Sequence, residues 1–377
     1  MKKIFWLIQQ TKKAGGTELV TIQIANRLVS TYDITLVVSG EKPEVNNYNI
    51  DPRIKIIYLG IKEQHIKFDE TVVALRDKRK YFQILIKTFE TIFFWIFKRG
   101  HYRRILKGLT KEEDLIIASS LDNYIFSPKK RTVYYHIHFN SKFFLSLGNR
   151  LTMALCARKA DKYIFLAKSS LEAVKKHYPK MICEWNTNIC RFNKEAHFNY
   201  QGSNLLFVGR YAEQKRPLLL LEAINELKRR NVKFHLDLYG NGPLKDLMEK
   251  YVNINDLHQE VTIHDQNKDI KGVLNSHDLF LLTSSYEGYA LVIQEATSQS
   301  VPTISMDWGE PIEEIINEGV NGYITKDGDI YDFADKIQLV LNDLNSLKRL
   351  KETTYEFAGT YDEKAIIDKW IKIIEDK

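Results

Sequence analysis

Cysteine is nearly absent: Cys156, Cys183 and Cys190 are the only three in 377 residues, an odd number with no CxxC pair. That argues against a disulfide scaffold and points to a reducing compartment with buried thiols. No His or Cys neighbour stands at ligand spacing from them, which weighs against a metal or nucleophile role. Proline is scarce, with eight residues, and no low-complexity tract or internal repeat is present. The chain also has no apolar run near the roughly 20 residues of a membrane span. The opening Met1-Lys2-Lys3-Ile4-Phe5-Trp6-Leu7-Ile8 stops at Gln9-Gln10. That is short of the roughly 7–15 apolar residues of a signal-peptide core. A cytoplasmic location is therefore expected.

What is present describes a globular protein, with 44% hydrophobic and 27% charged residues. A chain of 377 residues exceeds one ordinary core, so two domains are expected. The net charge of +7 is unevenly divided. Residues 1–190 hold 33 Lys/Arg against 17 Asp/Glu, whereas residues 191–377 hold 22 against 31. Only the first half is suited to an anionic surface. Nucleic-acid binding is not favoured, because no recognition motif accompanies the segregated charge.

Short β-branched or aromatic runs alternate with longer amphipathic ones, the pattern of α/β domains on parallel sheets. Strands are expected at Ile4–Ile8, Ile34–Ser39, Ile54–Leu59, Leu115–Ser119, Val133–Phe139 and Tyr163–Leu166. A second series comprises Leu205–Val208, Phe234–Tyr239, Val261–His264, Leu279–Thr283, Thr303–Ser305 and Gly322–Thr325. The polar stretch Arg191–Ser203 reads as the linker between a domain over 1–190 and one over 204–360. Residues 362–377 read as an amphipathic helix, with Ile366, Ile367, Trp370, Ile373 and Ile374 on one side, packing back on a domain surface. Ligands in such folds bind at the carboxyl ends of the strands.

Several constellations stand at those ends. Ser284-Ser285-Tyr286-Glu287-Gly288-Tyr289-Ala290-Leu291 follows an apolar strand and opens a helix that carries Glu295. Glu287 and Glu295 thus bracket a helix N-terminus, where free N–H groups favour an anion. One carboxylate can take sugar hydroxyls and the other a ribose, with phosphate between them. Arg210 and Lys215 rise from the loop after the Phe207-Val208-Gly209 strand end, supplying the cations that a pyrophosphate leaving group needs. Gly15 and Gly16 lie between the first strand and a helix over Leu19–Val29, and would let backbone approach a phosphate or sugar closely. His136 and His138 end a strand on the same face, with Asn140 close behind; a packed core histidine is the competing reading. Asp327-Gly328-Asp329 spells a D-x-D but sits far in sequence from the phosphate candidates, so no metal site is assigned.

The Glu287-to-Glu295 segment resembles the Glu-x7-Glu motif of family-4 retaining glycosyltransferases. Ser300-Val301-Pro302-Thr303, Glu314-Ile315-Ile316 and Gly319-Val320-Asn321-Gly322 resemble the family's continuation, and Gly240-Asn241-Gly242-Pro243 its G-x-G-P turn. The resemblance spans nearly the whole chain, more strongly after Leu205. It implies a GT-B fold: two Rossmann-like domains whose parallel sheets face each other across a cleft, with a nucleotide-diphosphate sugar as donor and neither cofactor nor metal. It further implies that Glu287 contacts the donor sugar and Glu295 the ribose, with Gly288, Tyr289, Ala290 and Leu291 between them at the substrate. Arg210 and Lys215 would bind the diphosphate, which Gly15 and Gly16 face across the cleft. His138, or second His136, would lie by the transferred sugar, and His264-Asp265-Gln266 at the nucleobase. The sequence has Arg216-Pro217 where the family has glycine, which alters the turn but keeps both cations.

The segment Arg76–Lys107 interleaves eight aromatic residues with ten Lys/Arg and two acidic residues. An interfacial helix on anionic lipid and a core helix with a solvated basic face both fit it. The first suggests a lipid-linked saccharide acceptor and peripheral contact with the membrane. Two rivals remain, a nucleotide-sugar epimerase on the same fold and a non-catalytic binding protein. Product analysis with and without membranes separates the first, and the intact Arg210, Lys215, Glu287 and Glu295 argue against the second.

Overall fold

The computed structural model describes residues 1–11, 15–44, 46, 48–61, 100–128, 132–138, 160–196 and 203–376. The first domain is a seven-stranded sheet of β1 (Lys3–Ile8), β2 (Asp33–Val38), β3 (Lys55–Tyr58), β4 (Leu115–Ala118), β5 (Thr132–His136), β6 (Lys162–Phe165) and β7 (Cys183–Trp185). Its order is β3-β2-β1-β4-β5-β6-β7, with every pairing parallel. The second domain contains β8 (Asn204–Val208), β9 (His235–Tyr239), β10 (Val261–His264), β11 (Leu279–Leu282), β12 (Thr303–Met306) and β13 (Gly322–Thr325). Its order, β10-β9-β8-β11-β12-β13, repeats that topology, again all parallel. These are two Rossmann-like halves. Crossovers leave both faces of each sheet covered, and the central strands are accordingly apolar throughout, as in Leu115–Ala118 and Leu279–Leu282.

Strand β7 was not expected from the sequence. It is a three-residue edge strand whose middle residue is Glu184, too short and too polar to leave a hydrophobic run. In the other direction, β5 ends at His136, three residues before the expected Phe139, which lies outside the described residues.

In each sheet the order reverses beside the first strand: β1 lies between β2 and β4, and β8 between β9 and β11. At such a switch point the loops on either side diverge and leave a crevice outside the carboxyl ends. The chain places its Gly15–Gly16 turn after β1, and its Arg210–Lys215 and Ser284–Glu287 loops after β8 and β11.

The terminal helix Glu363–Glu375 returns to the first domain, where Ile366, Trp370, Ile373 and Ile374 join a buried cluster with Ile4, Trp6 and Ile34. Trp370 is fully buried, its ring 5.4 Å from that of Trp6. Lys162 donates to the carbonyls of Ile373 and Asp376 at 3.0 and 2.6 Å, and Lys2 to that of Ile374 at 2.5 Å. Two ammonium groups on the last carbonyls oppose the negative end of the helix dipole.

Of the basic aromatic segment Arg76–Lys107, residues 76–99 lie outside the described ones. Its last part is a helix over 100–109 that buries Tyr102 and Leu106 and exposes Arg104 and Lys107. Tyr102 also donates to Asn123 Oδ1 at 2.9 Å. No helix among the described residues is long and apolar enough to cross a membrane.

Candidate functional site

The loop after β8 and the loop after β11 are bound into one unit. Ser285 N–H donates to the Gln214 carbonyl at 2.9 Å, and Gln214 Nε2 to that of Tyr286 at 2.8 Å. Thr283 Oγ1 reaches the carbonyls of Lys215 and Arg216, each at 3.0 Å. This lacing brings Lys215 and Glu287, 72 residues apart in sequence, to a 2.5 Å contact between Nζ and Oε1. Their side chains are only 18% and 9% exposed. An ammonium has three donors, so Lys215 keeps two for a further acceptor while steadying Glu287. Arg210, on the same loop, is exposed and forms no ion pair with a described residue.

Arg216 occupies the position where a glycine was expected, and the backbone explains that expectation. Its φ is 47° and ψ is 50°, the left-handed region that glycine enters without cost. The guanidinium compensates by donating to the carbonyls of Thr283 and Ser284 at 2.6 and 3.0 Å and to Asp327 Oδ1 at 2.6 Å. This corrects the remoteness assumed for Asp327: the fold brings it beside the residue that follows Lys215. It serves there as a partner of Arg216, while Asp329 caps the helix Ile330–Asn342 through the N–H groups of Tyr331 and Asp332.

Gly240 and Gly242 pack against the Arg210 loop. A Cβ on Gly240 would stand 2.0 Å from the Gly209 carbonyl oxygen, and one on Gly242 2.2 Å from that of Tyr211. Only backbone fits between these turns. Next to them, His264 Nε2 donates to Asp237 Oδ1 at 2.5 Å, and its ring stacks on Tyr239 with ring centroids 4.2 Å apart. Asp237 also holds His277 at 3.1 Å, and Asp265 pairs with Lys245 at 2.6 Å. The expected nucleobase loop is thus braced by its own hydrogen bonds and by the Lys245–Asp265 ion pair. Burial pushes the Asp237 carboxyl up, but hydrogen bonds from His277 and His264, with the charge interaction of His277 and His235, together bring it down to about 2.

The first domain supplies the opposite wall. Gly15 N–H donates to Tyr48 Oη at 2.8 Å, and the helix Gly16–Leu28 begins directly after it. A Cβ on Gly16 would lie 3.6 Å from Leu291 Cδ1, so the glycine turn touches the first residue of the helix Leu291–Ser298. Leu291 also packs against the buried cluster of the first domain. The N-terminus of the helix Gly16–Leu28 and that of the helix Leu291–Ser298 therefore meet across the two domains. Glu314 strengthens the junction by accepting from the N–H groups of Lys168 and Ser169 at 3.0 and 2.6 Å, capping the first-domain helix Lys168–His177 from the second domain.

Within Gly288–Leu291 the backbone turns through Ala290, whose φ of 45° makes it the left-handed residue before the helix. Tyr289 is buried and its hydroxyl is pushed up to about 12 by desolvation. Glu295 is 8% exposed and meets a partner the sequence did not suggest. Arg191, read as polar linker, binds both carboxylate oxygens, Nε to Oε1 at 2.8 Å and Nη2 to Oε2 at 3.1 Å. Burial raises the Glu295 carboxyl to about 6 against the lowering effect of Arg191.

His136 ends strand β5 beneath the surface. It is 1% exposed and packed between Trp6 and Trp370, with ring centroids 6.2 and 4.9 Å away. That is a buried position, closed on one side by Trp370 of the returning terminal helix. Its ring stands 4.2 Å from that of His138, which is partly exposed two residues beyond the strand end. Desolvation drives His136 well below its usual value and His138 to about 3, so both are neutral near pH 7. Asn140 lies outside the described residues, as does Ala14 before the glycine turn.

Comparison with known proteins bears on the family and the fold. The family of glycosyl transferases group 1 matches residues 191–357. An uncharacterized glycosyltransferase of Haemophilus influenzae is 22% identical over 99% of this chain and 100% of its own length. A GalNAc-alpha-(1->4)-GalNAc-alpha-(1->3)-diNAcBac-PP-undecaprenol alpha-1,4-N-acetyl-D-galactosaminyltransferase of Campylobacter jejuni is 22% identical over 100% of this chain and 99% of its own. Among solved structures, a variant of Staphylococcus aureus TarM in complex with fondaparinux, alpha-GlcNAc-glycerol and UDP superimposes with a TM-score of 0.78. It is 15% identical, with both chains covered over 100% of their length, a likeness that establishes the shared GT-B fold.

Proposed function

Residues 191–357 form a group 1 glycosyl transferase domain in a GT-B frame, and on that premise we propose that the chain moves a hexose from a nucleotide-diphosphate sugar to a saccharide acceptor with retention at the anomeric carbon. The observation that carries this reading is the Lys215–Glu287 pair, lodged beside the N-terminus of helix Leu291–Ser298 where it meets Gly16. A sugar diphosphate needs cations for its phosphates and a carboxylate for its hydroxyls within one short span, and this pair supplies both.

In the reaction, the bond between the anomeric carbon and the diphosphate oxygen breaks, and negative charge builds on the leaving phosphate. Lys215 and Arg210 meet that charge, aided by free N–H groups at the two helix ends. Glu287 orients the sugar through its hydroxyls, and the acceptor attacks from the leaving-group face, its proton passing to the departing phosphate oxygen. His138, held neutral, offers an uncharged hydrogen-bonding group near the transferred sugar. Neither cofactor nor metal is needed when Arg210 and Lys215 carry the charge, and Asp327 and Asp329 already have other partners.

The acceptor is proposed to be lipid-linked and met at the cytoplasmic face of the membrane. This rests on the net positive first half and on the exposed Arg104 and Lys107. The Campylobacter jejuni relative acts on an undecaprenol-linked saccharide by its name. Incubating the purified protein with UDP-, GDP- and dTDP-hexoses and a membrane lipid extract, then reading product and anomeric configuration by NMR, tests the activity. An inverted product or donor epimerisation without transfer would refute it. Removing charge at Arg103, Arg104 and Lys107 should release the protein from anionic vesicles; unchanged partitioning would end the membrane proposal.

A further inference from the structure

Glu295 is held in a way the donor-site reading alone does not require. The strand-to-linker segment 188–195 lies along the helix Leu291–Ser298 and is fastened to it at several points. Gln294 Nε2 donates to the Asn188 carbonyl at 3.4 Å, Cys190 Sγ to that of Gln294 at 3.6 Å, and Glu195 N–H to that of Ser298 at 2.9 Å. Gln299 Nε2 adds a donor to the Asn193 carbonyl at 2.9 Å. Arg191 sits in the middle of this zipper, its guanidinium carbon 4.4 Å from the centre of the Phe192 ring. Stacking and the zipper fix the plane of the fork, and the fork fixes Glu295 through a hydrogen bond from Nη2 to Oε2 and an ion contact of 2.8 Å between Nε and Oε1.

We propose that Arg191 is a positioning residue for sugar transfer, holding Glu295 ionised and oriented so that its remaining lone pairs accept the two vicinal hydroxyls of the donor's ribose. The inference rests on the donor-site reading given above and adds the device that makes the second glutamate serviceable. A carboxylate has about four acceptor positions, and Arg191 occupies two, one on each oxygen. The two left over diverge from a plane that Arg191 sets. A protonated carboxyl would lose one acceptor and turn an O–H toward the ribose. Burial favours that protonated form and Arg191 opposes it. Among the described residues, the ionisable groups coupled to Glu295 are Arg191 and the Cys190 thiol, while Tyr289 and Cys190 act on Tyr361 and Glu314 on Tyr289. Removal of Arg191 therefore removes the one cation that acts on Glu295 among the described residues. The linker also gains a role: the residue that crosses between domains sets the chemistry of the nucleotide pocket.

The test uses the full chain labelled with 13C at glutamate carboxyls, in wild-type form and as R191Q, R191K, E295Q and R191Q/E295Q, with folding checked by thermal denaturation. Carboxyl titration by NMR reports Glu295 directly, and calorimetry with UDP from pH 5 to pH 8 reports donor-side binding, GDP and dTDP replacing UDP if the wild type prefers them. The expected result is a Glu295 midpoint that rises by a unit or more in R191Q. Nucleotide affinity at pH 7 should fall about tenfold and recover toward alkaline pH, with R191K intermediate. The acidic limb should vanish in E295Q, with no added loss in the double variant. A midpoint unmoved in R191Q, or a loss that adds in full to that of E295Q, overturns the positioning role. If the midpoint moves but E295Q binds nucleotide like the wild type, the donor-site reading fails instead, and its failure is thereby told apart.

Discussion

Replacing Lys215 by methionine separates the structural from the chemical role of the central pair. The methionine keeps the apolar stem and deletes the charge, leaving Glu287 at 9% side-chain exposure without its 2.5 Å partner. Breaking a buried ion pair on one side costs about 3–5 kcal/mol, and the residual exposure of Lys215 sets the expectation at the lower end, about 3 kcal/mol. That loss is an uncompensated charge, so K215M/E287Q should recover most of it. Catalysis should behave in the opposite way. A cation about 4 Å from a phosphate oxygen, at an effective dielectric near 20, contributes about 4 kcal/mol. Charge grows on that oxygen as the bond breaks, so most of the contribution acts on the transition state, and kcat should fall about 10³-fold. The double variant should stay as inactive as the single one, or more so. Urea denaturation gives the first quantity and initial rates of hexose transfer give the second. A folded K215M enzyme within tenfold of wild-type kcat would refute the argument, as would activity that returns with stability in the double variant.

Arg216 offers a cleaner backbone test. Arg216→Ala keeps a Cβ in the left-handed region and discards three hydrogen bonds, so it should destabilise by about 2–3 kcal/mol. Arg216→Gly should cost about 1 kcal/mol less in the same urea titration, and a ranking in reverse would contradict the strain assigned there. Gly240→Ala drives a Cβ to 2.0 Å from a backbone carbonyl and should lower the thermal midpoint by several degrees while weakening nucleotide binding, read by thermal shift with and without UDP. Burial keeps His136 neutral, well below 6.5, whereas the unfolded chain takes up a proton as pH falls below about 6.5. Stability from this group is therefore present above about pH 6.5 and declines below it by up to about 1.4 kcal/mol per pH unit. His136→Phe should flatten that part of the profile measured between pH 7 and pH 5, and an unchanged slope would mean the histidine is charged in the fold.

Much of this molecule is local chemistry and could be read along the chain. Twelve expected strands correspond to observed ones because a buried parallel strand must be a short apolar run. The glycine turn after β1, the cations after β8 and the Glu287–Glu295 spacing were equally visible, since each is set by the few residues around a strand end. The missing strand, β7, has three residues and no such run. What could not be read were partnerships between residues that no local periodicity connects. Arg191 reaches Glu295 across 104 positions, and Arg216 reaches Asp327 across 111. His136 looked like a cleft residue until Trp370 closed over it from the other end of the chain. A helix or strand leaves its period in the sequence, because neighbours share one backbone geometry. A pairing across a crossover is fixed only when the sheets twist, the terminal helix folds back and burial makes each charge find the one partner within reach.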